Sequence, residues 1–259
     1  MIGVVCLAFV TVYGGRVLKP FVNLLNFSRR QSSEIIVITI IRLSLYTISY
    51  KSIKMEIVVS GIRPTGNLHL GNYFGAVKNF LRLQDEYKCF FFIADWHSLT
   101  THPHPGDVTT NVRKILAEYL ACGIDPQKAA IYVQSDVKEI LELYLYLNMN
   151  AYLGELERVT SFKEKARKQP DNVNAGLLTY PTLMAADIII HKADKVPVGK
   201  DQEQNMEMAR KFARRFNMIY GVEFFKEPQS YSFGGEAIKV PGLDGSGKMG
   251  KSEGNAIYL

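Results

Sequence analysis

Three kinds of sequence follow one another between Glu56 and Leu81: a β-branched run from Glu56 to Val59, a glycine-punctuated loop from Ser60 to Tyr73, and apolar Phe74, Val77 and Leu81 at helical spacing. A buried strand, a loop and an amphipathic helix in that order direct the chain toward an α/β fold, because a strand that feeds a helix packs back onto a parallel sheet. The loop contains Gly61, Gly66 and Gly71, which let backbone come close to a ligand. The helix that follows offers unpaired N–H groups and a positive dipole end to phosphates, and His69 and Asn72 add side-chain donors. Neither G-x-G-x-x-G nor G-x-x-x-x-G-K-[ST] is present, so the loop predicts a nucleotide site of another kind.

The alternation continues downstream. Cys89 to Asp95 carries Phe90-Phe91-Phe92-Ile93, a second parallel strand, and ends at Asp95-Trp96-His97, where open sheets place ligands. Asn111 to Cys122 predicts a crossover helix with Val112, Ile115, Leu116, Tyr119 and Leu120 on one face and Gly123 at its C-cap. A third strand from Ala130 to Gln134 and a helix from Val137 to Leu147 complete the pattern of a doubly wound parallel sheet. Gly154 to Lys168 reads as a charged helix or helix-loop, and by itself its Lys163, Lys165, Arg167 and Lys168 are a solvated face.

Tyr180, Met184 and Asp187 fall on one side of a helix. Taken alone they are a core stripe with a capping Asp. Val196 to Gln202 reads as a strand end opening a long helix that carries Met206, Ala209, Phe212 and Phe216, with Asp201 as its N-cap. Arg210, Lys211, Arg214 and Arg215 on that helix read as a solvated face before a nucleic-acid patch. Gly242, Gly245, Gly247 and Gly250 make the last long loop flexible, with Lys248 and Lys251 supplying charge.

The +6 formal charge of the 259-residue chain misleads unless it is located. Arg16, Lys19, Arg29, Arg30, Arg42, Lys51 and Lys54 face only Glu34 within residues 1–54, so the remainder is neutral and its charge says nothing of nucleic acid. Cys6, Cys89 and Cys122 are too far apart for a disulfide framework or structural zinc, which fits a reducing, cytoplasmic compartment. The apolar runs Met1 to Val10 and Ile35 to Ile41 fall short of the ~18 residues of a membrane span. Residues 1–54 are expected to be an atypical extension from a start placed too early, with Met55 directly before the first strand. The alternative is an organellar transit segment, since the stretch is acidic-poor and contains Arg and Ser.

His69-Leu70-Gly71-Asn72 resembles the HIGH signature of class I aminoacyl-tRNA synthetases, and Lys248-Met249-Gly250-Lys251-Ser252 resembles their KMSKS loop. Between them Gly154-Glu155-Leu156-Glu157-Arg158, Phe162-Lys163-Glu164-Lys165 and Tyr180-Pro181-Thr182-Leu183-Met184-Ala185-Ala186-Asp187 resemble the tryptophanyl-tRNA synthetase family. The likeness runs from about Met55 to Leu259 and implies a Rossmann-like catalytic domain over 55–259, without the helical anticodon-binding domain that the family carries next. It also implies activation of L-tryptophan by ATP with Mg²⁺ bridging phosphates, transfer to tRNA(Trp), and a homodimer with no membrane association.

By the same resemblance Lys165, Lys248 and Lys251 are catalytic. Arg63, Pro64, Thr65, His69, Gly71, Asn72, Gly199, Lys200, Asp201, Val240, Met249, Gly250 and Ser252 bind ATP. Val59, Gly61, His97, Tyr180, Met184, Asp187, Val196 and Gln202 bind tryptophan, and no carboxylate cluster marks a dedicated metal site. Tyrosyl relatives typically carry Gln at the position of Met184, which separates the two amino acids. Lys200, where the family often has an acidic residue, and Gly250, where it usually has Ser, depart from the pattern. Of the rival readings, a tyrosine-specific relative is disfavoured by Met184. A catalytically silent synthetase fold that binds RNA or a partner is opposed by retention of His69, Lys248 and Lys251.

Overall fold

The computed structural model describes residues 11–13, 16–18, 55–102, 104–231, 240–245, 247, 249–251 and 254–259, without the side chains of 11–13, 16–18, Pro105 and Lys200. Lys248 and Ser252 lie outside the described residues, as does most of 1–54. The chain divides into two compact units, Met1–Lys54 and Met55–Leu259. In the first, β1 (Thr11–Tyr13) pairs antiparallel with β2 (Arg16–Leu18).

The second unit is built on a five-stranded parallel sheet of β3 (Ile57–Ile62), β4 (Lys88–Ile93), β5 (Ala129–Val133), β6 (Lys195–Pro197) and β7 (Gln229–Tyr231), in the order β5-β4-β3-β6-β7. The chain winds outward from β3 through β4 to β5, then returns to the other side of β3. The β3/β6 boundary is therefore the switch point beside which open sheets bind ligands. Alternate residues of β3 point to opposite faces, and two cores result. Val58, Phe91 and Ile93 pack with Phe80, Ile115 and Tyr119 on one face, while Val59 and Phe92 pack with Ile140, Ile188 and Phe212 on the other.

The first strand extends beyond Glu56–Val59, because Ser60, Gly61 and Ile62 continue the register against Phe91, Phe92 and Ile93. The next helix begins at Leu70, not after Gly71: α1 (Leu70–Asn72) passes through a π turn (Tyr73–Val77) into α2 (Lys78–Glu86). The second strand stops at Ile93, and Asp95 opens a short helix, α3 (Asp95–Ser98). The crossover helix α4 (Pro105–Cys122) starts earlier than Asn111 because Pro105 supplies a first-turn residue that needs no N–H partner. Gly123 caps it with φ 102°, as its position predicts. Of the apolar stripe on α4, Ile115 and Tyr119 are buried but Leu116 and Leu120 are exposed, so the packed face is narrower than the spacing implied.

The third strand ends one residue earlier than expected, leaving Gln134 to open a 3₁₀ turn, and the following helix is α5 (Glu139–Met149). Gly154 to Lys168 resolves into α6 (Leu153–Leu156) and α7 (Thr160–Lys168). After α8 (Ala175–Leu178) come α9 (Tyr180–Ile189) and α10 (Glu203–Tyr220). Gln202, not Asp201, is the N-cap of α10; the Asp201 carboxylate accepts from Gln202 Nε2 at 2.8 Å instead. Burial pushes the Cys89 thiol up to about 12 and raises that of Cys122, the behaviour of buried or half-buried free thiols. Among the described residues no helix is long and apolar enough to cross a membrane.

Candidate active site

At the carboxyl ends of β3 and β6 a cavity of about 680 Å³ opens against α9. Its strand wall is Val59 and Gly61 with Val196 and Pro197, and its helix wall is Tyr180, Met184 and Asp187. Gly61 is required there because a Cβ would lie 2.7 Å from the Phe92 ring, so the glycine serves the packing of β3 on β4. All eight residues for which the resemblance implies tryptophan contact, Val59, Gly61, His97, Tyr180, Met184, Asp187, Val196 and Gln202, line this one cavity.

Asp187 is 1% exposed, and both its oxygens are occupied by side chains. His97 Nε2 lies 2.8 Å from Oδ2, and Gln134 Nε2 donates to Oδ1 at 2.8 Å. Burial raises the carboxyl's pKa above its ordinary value, while the bonds from His97 and Gln134 work in the opposite direction. Each carboxylate oxygen can accept a second bond, so the network holds Asp187 in place and leaves acceptor capacity facing the cavity. The His97 ring packs 4.5 Å from that of Tyr180. Gln134 escapes sequence reasoning as the last residue of an expected strand. Its signal is a polar side chain at a strand's carboxyl end, the same place that flagged His97.

The other end is cationic. Arg63 lines the cavity, and Lys165, at the end of α7, puts Nζ 3.5 Å from the centroid of the Tyr180 ring. Burial, helped by repulsion from Arg63, lowers the Lys165 pKa to about 8. Gly199, Asp201 and Gln202 line the same opening, and Asn205 Nδ2 donates to Gln202 Oε1 at 2.8 Å. Phe74, Lys78 and Asn79 also line it. The helical spacing predicts an ordinary helix at Phe74, and the π turn carries no sequence signal.

The two signature stretches meet. His69 N–H donates to Asn72 Oδ1 at 3.1 Å, and His69 pairs antiparallel with Tyr258. A Cβ on Gly71 would strike the His69 ring at 2.8 Å and lie 3.8 Å from Met249, so the glycine fits between them. Met249 is buried and its N–H donates to Val240 O at 2.9 Å, while Gly250 N–H donates to Asn255 Oδ1 at 3.0 Å. Lys251 Nζ donates to Gly66 O at 2.8 Å and Thr65 O at 3.3 Å, and burial lowers its pKa. Thr65, His69 and Gly71 are thus beside the last loop and the residues that follow it, and they, Pro64 and Asn72 are outside the cavity lining.

The basic residues of α10 are largely engaged within the fold. Arg210 pairs with Glu207 at 2.9 Å, Arg214 with Glu227 at 2.5 Å, and Arg215 donates twice to Glu155, at 3.0 and 2.9 Å, beside the Tyr152 ring. Arg215 is half-buried, which corrects the solvated reading at that residue.

Comparison with known proteins agrees with this geometry. The family of tRNA synthetases class I (W and Y) matches residues 53–259. A tryptophan–tRNA ligase of Porphyromonas gingivalis is 83% identical over 205 residues, covering 79% of this chain and 63% of the relative. One of Fusobacterium nucleatum is 51% identical, covering 79% and 62%. The crystal structure of tryptophanyl-tRNA synthetase from Campylobacter jejuni, complexed with ADP and tryptophan, matches with a TM-score of 0.72 at 42% identity, covering 78% of this chain and 62% of that one. The chain thus spans less than two thirds of these relatives' lengths. The family match spans the parallel sheet and both signature stretches, and the chain belongs to the family of class I tRNA synthetases for tryptophan and tyrosine (W and Y).

Proposed function

We propose that this chain carries the amino-acid activation site of a tryptophan–tRNA ligase. The observation that carries the reading is Asp187, a buried carboxylate fixed by His97 and Gln134 at the inner wall of a cavity whose adjacent residue on α9 is Met184. An indole fits it: the ring lies against Met184, Val59 and Val196, and its N–H donates to Asp187. A phenol, which needs a partner for its hydroxyl, meets Met184 instead. A site built on a buried hydrogen bond can reject analogues by ~10⁴ or more. The 83% identity to a tryptophan–tRNA ligase supports the same assignment.

In the reaction a carboxylate oxygen of tryptophan attacks the α-phosphorus of ATP, the bond to the bridging oxygen breaks, and pyrophosphate leaves with its electron pair. The aminoacyl group then passes from the adenylate to a ribose hydroxyl of tRNA(Trp). Such a transfer needs positioning and charge stabilisation more than an acid or base. Lys165, Lys251 and, by the resemblance, Lys248 supply positive charge to the departing pyrophosphate. Arg63 and the 199–202 segment border the nucleotide.

Among the described residues no three His, Cys, Asp or Glu side chains converge as metal ligands. A Mg²⁺ ion, implied by the resemblance, would arrive with the phosphates of ATP and would supply charge neutralisation beside Lys165 and Lys251. The exposed apolar residues Leu141, Leu145, Met149, Tyr152 and Leu153 on and after α5 support a homodimer. Cytoplasmic translation is the proposed setting.

Tryptophan-dependent exchange of pyrophosphate into ATP, with tyrosine as control, tests this function. Exchange with tryptophan alone is expected. Exchange with tyrosine, or with neither amino acid, would refute it.

A further inference from the structure

Glu118 lies on α4, and no signature motif includes it. Its Oε2 accepts the N–H of Leu68 at 3.0 Å, a bond across 50 positions of sequence. Leu68 is 1% exposed, and its carbonyl accepts the N–H of Leu259 at 3.0 Å, so the residue preceding His69 is held on both sides. Burial lowers the Lys251 pKa, and the charge on Glu118 opposes that shift, so the carboxylate and the ammonium feel each other. Lys251 in turn grips the loop at Gly66 and Thr65.

A carboxylate placed here opposes binding of a polyphosphate by simple repulsion. Its presence is compatible with an anion site only if its charge is engaged by the protein. The Leu68 N–H engages it.

We propose that Glu118 is a positioning residue for the nucleotide loop: it pins the backbone at Leu68, directly before the signature stretch that begins at His69. The inference rests on the reading of that loop as an ATP site. Glu118 acts through Leu68, whose N–H it accepts.

Glu118→Ala removes the acceptor for Leu68 together with the charge, and Glu118→Gln keeps the acceptor while removing the charge. Three readouts are needed: hydrogen exchange of the Leu68 amide, the KM for ATP in tryptophan-dependent pyrophosphate exchange, and tryptophan affinity by calorimetry. Glu118→Ala is expected to speed Leu68 exchange by ~10²-fold and raise the ATP KM ~10-fold, with kcat within about twofold and tryptophan affinity unchanged. Glu118→Gln is expected to restore Leu68 protection and bring the KM to within ~3-fold of the parent. A parental KM and parental protection in Glu118→Ala would overturn the proposal, and so would equal losses toward ATP and tryptophan. If the unmodified chain shows no exchange activity, the ATP reading fails by itself. Leu68 protection then decides the pin alone: lost in Glu118→Ala it supports the pin, kept it overturns it.

Discussion

The two ends of the cavity are held by different means. At the inner end a buried carboxylate is fixed by two side chains from two other elements, His97 on α3 and Gln134 at the end of β5. On the cationic side the lysines lie against backbone and ring: Lys165 over Tyr180 at the cavity, and Lys251 on two carbonyls of the loop outside its lining. In the first arrangement both carboxylate oxygens have donors, while His97 Nδ1 and Gln134 Oε1 are buried without a hydrogen-bond partner; on the proposed function this end reads shape and one hydrogen bond. The second is made of loops and charges that an arriving anion can redirect. On the proposed function one end discriminates and the other stabilises charge.

Removing the inner carboxylate separates these roles most sharply. Asp187→Ala is expected to cost ~10³-fold or more in selectivity for tryptophan over phenylalanine while ATP binding stays measurable, read from kcat/KM in pyrophosphate exchange. A variant that still prefers tryptophan would show that discrimination lies elsewhere. Lys251→Ala is the complementary cut: ~10²-fold off kcat with tryptophan affinity unchanged, measured by exchange kinetics and calorimetry.

Gln134→Ala, which leaves one Asp187 oxygen without its donor, is expected to weaken tryptophan binding ~10-fold, while Gln134→Glu weakens it further by placing a second carboxylate beside the first. The outer end has a pH signature. Because the Lys165 pKa is lowered to about 8, its ammonium is charged below that pH and lost above it. The kcat/KM for ATP is therefore expected to fall as pH rises through about 8, and Lys165→Arg, charged throughout, should flatten that limb. The smallest effect is assigned to Gly250→Ser. Gly250 has no left-handed backbone to protect, so kcat should change by less than ~3-fold.

The same contrast explains what the sequence shows by itself. β3, β4 and β5 are continuous apolar runs between turn residues, so their parallel order and the site at their carboxyl ends are legible from pattern. The signature stretches are legible from residue identity, and the spacing of Tyr180, Met184 and Asp187 puts all three on the cavity wall. Long-range partners are not legible. Gln134 reaches Asp187 across 53 positions and Glu118 reaches Leu68 across 50, and nothing local at either residue names its target. Local geometry also fails where tertiary contacts override propensity. Ser60 to Ile62 stay in the strand because β4 continues beside them, and the π turn at Tyr73–Val77 brings Phe74 into the cavity lining. Asp201 forgoes the cap its type favours and receives the Gln202 amide.

The most direct measurement is the affinity of this chain for tryptophan beside that for 3-benzothienylalanine, in which sulfur replaces the indole N–H with little change of shape. With the N–H donated to Asp187, the analogue is expected to bind ~10²-fold more weakly in the parent chain, and the difference should vanish in Asp187→Ala. Equal affinities in the parent would contradict the assignment of Asp187 as the indole acceptor.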